Sequence, residues 1–142
     1  RQEFWHLLIN LLRGGSAVLV STPYMDEAMR FDRLVFMNRG RMLIEGAPRD
    51  LMGRLTGRVL ELAAEPQVVA RRIAAADPDV ENVNAFGDRL HLRVTSAAGP
   101  LERLPLQLAA AGVRLVHLRP TTATLEDVFI ELLEAERSPD GQ

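Results

Sequence analysis

The chain has 142 residues, a formal net charge of −2, 47% hydrophobic residues and 25% charged residues. That length holds one ordinary domain or two small ones, and that balance belongs to a folded globular chain and excludes a disordered one. There is no cysteine and all 17 basic residues are arginine, which excludes a disulfide framework, a thiolate metal site, a phosphate-loop lysine and a Schiff-base lysine.

In chain order, Phe4, Leu7, Leu8, Leu11 and Leu12 recur at the spacing of one helix face, and Gly14 and Gly15 end that helix. A face of this kind should pack on a sheet. The segment starts basic and has an apolar middle. Glu3, His6, the lack of a small-residue cleavage site and the lack of an initiator methionine argue against a signal peptide, and Arg1 reads as a cut point inside a longer chain. No apolar run approaches the ~20 residues of a membrane-spanning helix. Residues 17–20 form a short, continuously apolar run, usual for parallel strands covered on both faces, so the start of the chain reads as part of an α/β layer. After a polar corner, residues 25–31 suit a short helix with Asp26 and Glu27 in its first turn, where the helix dipole favours acids. Residues 34–37 and 42–45 then flank Asn38, Arg39, Gly40 and Arg41 as a β-hairpin. Gly46 and Pro48 close it and open a helix over 49–55.

The stretch 53–58 has two glycines and little apolar content, and it divides the chain into units 1–55 and 56–142. Beyond it the pattern is a strand over 58–63, a helix over 67–76 opened by Pro66, a hairpin of 80–86 with 89–95, a helix over 101–111 and a strand over 113–118. Leu90, Leu92 and Val94 alternate with Arg89, His91 and Arg93, as in a strand with one apolar face. Pro105 removes an interior hydrogen bond, so its helix is expected to start or bend there, and Gly112 is the natural C-cap. The order βαββαβ suggests a ferredoxin-like sandwich, four antiparallel strands under two helices. Residues 124–136 form the closing helix: Thr124 can cap it, Asp127 stands three residues on, and Leu125, Val128, Phe129, Leu132 and Leu133 make one apolar face. That face belongs against one of the two units or between them.

Ser21 and Thr22 end the apolar run where open α/β sheets bind ligands, or they simply cap and turn the chain. Asp26 and Glu27 are adjacent on a helix and do not face each other, so they read as dipole-favoured surface acids rather than a catalytic pair. His6, His91 and His117 are too scattered to suggest a metal site. Trp5 and Tyr24 read as packing residues. Nucleic acid is disfavoured by the acidic balance and, for a βαββαβ unit binding RNA, by central strands that offer only Phe86, near a turn. Taken alone, the residues describe a truncated α/β segment plus a small α+β module with no catalytic centre.

Trp5 with Phe4, and then Ser21, Thr22, Tyr24, Met25, Asp26, Glu27, Ala28, Asp32, Arg33, Gly40, Gly46 and Pro48, carry a resemblance. The stretch 2–51 resembles the end of the ATP-binding cassette (ABC) ATPase domain, specifically the ATPase subunits of bacterial ABC-2 type multidrug and antibiotic exporters. Residues 58–122 are similar to the accessory domain that follows this core, and residues 124–132 to its closing helix. The resemblance implies that the phosphate loop, the signature motif and the Walker B acids with the catalytic glutamate lie upstream of Arg1. It also implies that position 23 is that of the family's switch histidine, which contacts the γ-phosphate. Here the residue is Pro23, with no side-chain donor or acceptor and no backbone N–H. Either the parent nucleotide site is degenerate, as in one half of an asymmetric pair, or it follows a histidine-independent route; degeneracy is the favoured reading.

The expected fold class is therefore α/β: a truncated C-terminal segment of an ABC ATPase core, then a ferredoxin-like module and a closing helix. The resemblance implies ATP and Mg as cofactors of the parent, with Ser21 and Thr22 near the nucleotide, and neither cofactor for the fragment, which is not itself expected to be an enzyme. It implies a membrane-spanning permease and a second nucleotide-binding domain as partners, and a cytoplasmic location at the inner face of the cell membrane. The alternative is a stand-alone ferredoxin-like module that dimerises or binds a small molecule.

Overall fold

The computed structural model describes residues 2–138; Arg1, read above as a cut point, lies outside them. Their secondary structure is mixed α/β, with two antiparallel sheets and six helices. Helix α1, Gln2–Arg13, follows the expected periodicity and stops at Gly15, whose φ of 83° is left-handed. Of its apolar residues Leu8 is buried, while Phe4, Leu7, Leu11 and Leu12 remain exposed. The expected strand over 17–20 does not form: the segment has no ladder partner, and Leu19 is 100% exposed. A parallel strand exists only through its neighbours, and none is present among the described residues.

Helix α2, Met25–Ala28, is shorter than the expected 25–31 and runs on only as turns. Strands β1, Leu34–Asn38, and β2, Arg41–Gly46, form the expected hairpin. Asn38 pairs with Arg41 across a two-residue turn in which Arg39 and Gly40 have φ of 49° and 76°. Helix α3, Pro48–Gly53, starts at a proline in its first turn, where no N–H is required.

The remaining strands are β3, Val59–Glu65, β4, Val80–Phe86, β5, Arg89–Val94, and β6, Arg114–Pro120, joined in the order β4-β5-β3-β6 with every neighbour antiparallel. Helix α4, Gln67–Ala75, connects β3 to β4 across β5, and helix α5, Ala98–Ala110, connects β5 to β6 across β3. Both helices cover the same face: Ala70, Ala74, Leu104 and Leu108 join Leu60, Leu62, Leu90 and Leu92 in one buried cluster. Helix α5 begins before Pro105 and passes through it, and Gly112 follows with φ of 73°. The side chains that hold Leu104 and Leu108 in this cluster outweigh the one interior hydrogen bond a proline removes.

Helix α6, Leu125–Arg137, opens with a capping box: Thr124 Oγ1 accepts from the Asp127 N–H at 3.2 Å, and the Asp127 carboxylate accepts from the Thr124 N–H at 2.8 Å. Its apolar face meets the first part of the chain and the start of β3, where Leu125 and Val128 are buried with Phe36, Leu51, Leu55 and Val59. The Phe36 and Phe129 rings lie 5.1 Å apart. Its acidic side meets the sheet face opposite α4 and α5. That contact buries His91 and Arg93, which alternation alone had placed on a simple polar face.

Candidate functional site

The corner 21–27 is built by the start of α2. The Thr22 hydroxyl accepts the Tyr24 N–H at 3.1 Å and donates to Glu27 Oε2 at 2.9 Å, so its capacity is used in shaping the turn. Ser21 and Pro23 are exposed, as is Asp26. Of the two readings of Ser21 and Thr22, the geometry at Thr22 is that of a turn cap. The donor set does not fit a nucleotide phosphate by itself. Thr22 is committed to Tyr24 and Glu27, Pro23 has nothing to offer, and the chain has no lysine.

Next to this corner the aromatic residues pack on one another, as expected for Trp5. Its ring lies 5.5 Å from Phe31 and edge-on to Phe4 at 5.7 Å, with the Arg30 guanidinium 4.9 Å from its centroid. A hollow of about 450 Å³ opens between α1 and the segment 30–33, lined among others by Trp5, Ile9, Leu12 and Val18. Four of its nine lining residues, Trp5, Leu8, Ile9 and Leu12, belong to α1.

A second polar constellation, missed by the sequence reading, lies on the sheet. Glu61 on β3 receives Arg89 at 3.1 Å, Arg119 at 2.9 Å and His117 Nε2 at 2.8 Å, and His91 Nε2 stands 3.9 Å away. Burial works to raise the Glu61 pKa, but hydrogen bonds from Arg119, His117 and Arg89 outweigh it and hold the carboxyl at about 2. The other ring nitrogen of His91, Nδ1, meets Asp127 Oδ2 at 2.9 Å. Burial would raise Asp127 too, and His91 with the Thr124 groups brings it below the usual carboxylate range. Two of the three histidines thus meet carboxylates 36 and 56 residues away in the chain, His91 through the packing of α6 and His117 through strand pairing. Glu61 is surrounded by Arg89, Arg119 and His117, and among the described residues no group of histidines and carboxylates is arranged to hold a metal ion. This network joins the sheet to α6. Farther along the same face Arg93 bonds Glu81 at 3.0 Å and Glu134 of α6, and Asn82 also bonds Glu134.

Neither constellation is a complete catalytic centre, so relatives bear directly on the assignment. No family model matches the chain. The daunorubicin resistance ATP-binding protein DrrA2 of Streptomyces coeruleorubidus is 30% identical over 140 residues, covering 93% of this chain and 42% of that protein. The Nod factor export ATP-binding protein I of Paraburkholderia xenovorans is 37% identical over 138 residues, covering 96% of this chain and 43% of that protein. The probable multidrug ABC transporter ATP-binding protein YbhF of Escherichia coli is 30% identical over 136 residues, covering 94% of this chain and 23% of that protein. This chain is homologous to ABC transporter ATP-binding proteins. It spans less than half the length of these ABC relatives. No helix among the described residues is long and apolar enough to cross a membrane.

Proposed function

We propose that this chain is the C-terminal part of the ATP-binding subunit of an ABC-2 type multidrug or antibiotic exporter. Residues 1–55 are the end of the nucleotide-binding core, and residues 56–142 are a ferredoxin-like accessory domain closed by α6. The observation that carries the reading is Leu19, wholly exposed on an apolar segment that has no ladder partner among the described residues. A run with the composition of a buried strand and no sheet around it fits a larger sheet made by other residues. The uncovered apolar side of α1 calls for the same cover, and the ABC relatives are long enough to supply it. For the second unit, the order β4-β5-β3-β6 with both helices on one face supports the ferredoxin-like assignment.

In this reading the intact protein uses ATP and magnesium, pairs with a second nucleotide-binding domain and drives a membrane-spanning permease from the cytoplasmic side of the cell membrane. Ser21 and Thr22 lie near the nucleotide, and Pro23 leaves that site without its switch side chain. The purified chain should show no magnesium-dependent ATP hydrolysis above a buffer blank; hydrolysis above it would sink the proposal. In the longer protein, Pro23→His should raise the ATPase rate, and an unchanged rate would mean that other parts of the same site are lost as well.

A further inference from the structure

The tip of the β1–β2 hairpin and the last turn of α6 enclose a hollow of about 490 Å³, lined by Asn38, Arg39, Arg41, Leu133, Glu136 and Arg137. Three of these side chains are guanidinium groups and one is a carboxylate, so the described lining residues carry two more positive charges than negative ones. That carboxylate, Glu136, accepts a hydrogen bond from Asn38 Nδ2 at 2.8 Å. Several arginines elsewhere face acids, as Arg33 meets Glu45, Arg58 meets Glu81, Arg103 meets Asp77 and Arg114 meets Glu65, while Arg13, Arg49 and Arg72 stand singly on the surface and do not share a hollow. Arg39, Arg41 and Arg137 enter no ion pair among the described residues. Arg137 has a local reason for its place, since a cation suits the C-terminal turn of a helix. Arg39 and Arg41 have none. Arg39 moreover sits at φ 49° as the first residue of a two-residue hairpin turn, where asparagine, aspartate or glycine is the usual choice. An arginine there is conformationally unfavourable, and strain of this kind concentrates at binding sites.

We infer that this hollow binds a phosphate-bearing anion, held by Arg39, Arg41 and Arg137. The planar guanidinium fork matches phosphate oxygens in pairs, and a lining excess of two positive charges matches a phosphate dianion. The ligand ties the hairpin to the end of α6, so it acts on the join between the two parts of the chain. A soluble phosphate compound and a phospholipid headgroup share this chemistry.

Titration calorimetry of the full chain with sodium pyrophosphate at low ionic strength should give saturable binding, weakened at least about tenfold in R39A/R41A. The control R13A/R72A removes the same charge elsewhere and should keep the wild-type affinity. R39N separates binding from folding: asparagine suits the left-handed turn, so the melting temperature should hold or rise while affinity falls. Co-sedimentation with vesicles of phosphatidylglycerol in phosphatidylcholine identifies the source. Vesicle binding that R39A/R41A abolishes and pyrophosphate competes away assigns a headgroup, and pyrophosphate binding without vesicle binding assigns a soluble ligand. Equal affinity in wild type and R39A/R41A, or no saturable binding in either arm, overturns the site.

Discussion

In the four-stranded sheet Leu60, Leu62 and Leu92 expose no surface at all, whereas before the hairpin Leu19 exposes all of its side chain and Leu7 more than half. Apolar composition is similar in the two regions, so composition does not decide burial. The difference lies in where the strand partners are. β3 finds both its neighbours, β5 and β6, inside its own segment, and α4 and α5 close over the face they make. Residues 17–20 find no strand neighbour among the described residues. A strand is a relation between segments, and of these two regions only the sheet shows that relation.

The largest effect expected from breaking this contrast is in the sheet. Leu92→Ala removes a fully buried side chain between β5 and the two helices, and should destabilise the chain by about 2–5 kcal/mol in urea denaturation. Next comes the helix that joins the regions. Thr124→Ala removes one half of the capping box and should cost about 0.5–2 kcal/mol, while Asp127→Ala also leaves buried His91 without its partner and should cost more. Since α6 packs its apolar face on Phe36 and Leu51, hydrogen exchange should quicken more in β1 and β2 on loss of the cap than in β3 and β5, which α4 and α5 cover on their other face. Equal acceleration in both sheets would mean that the regions open as one unit.

Acid should act through the same join. Glu61 and Asp127 both ionise more readily in the folded chain than in the unfolded one. Groups of this kind contribute stability above their unfolded pKa and lose it as pH falls through the folded value. For Glu61 that window runs from 4.5 down to about 2. Denaturation midpoints should therefore be steady near neutrality and fall over this range. Glu61→Gln should lower stability at pH 7 and flatten the acid slope, and a slope unaltered by the substitution would place the acid sensitivity elsewhere.

Elements that depend on their own sequence were legible before the structure. The leucine spacing of α1, the turn at Arg39 and Gly40, and the Thr124 to Asp127 capping box are all set within a few residues, and each forms as read. What escaped was set by distant residues. The alternation in β5 marked Arg89, His91 and Arg93 as one polar face. It could not reveal that Asp127 and Glu134 of α6 would cover two of them. Likewise Glu61, His91 and His117 become neighbours only through strand register. At the polar corner the turn-capping use of Thr22 was legible, while its partners, Glu27 and the Tyr24 N–H, emerge only from the structure.

The smallest effect on this chain is expected where the contrast is sharpest. Leu19→Ser changes a side chain that is 100% exposed, so the urea midpoint should shift by no more than about 0.5 kcal/mol equivalent. If residues 17–20 are a strand of a larger nucleotide-binding sheet, the same substitution in the longer protein buries a hydroxyl among apolar neighbours. It should then cost roughly 2–5 kcal/mol, the range of large-to-small core changes. The pair of measurements separates a segment that is intrinsically a surface loop from one that lacks its sheet. A loop gives two small numbers, and a strand gives one small and one large. Leu7→Ser on α1 is the matched case for the helix: it too should be nearly silent here and costly where a sheet covers that face.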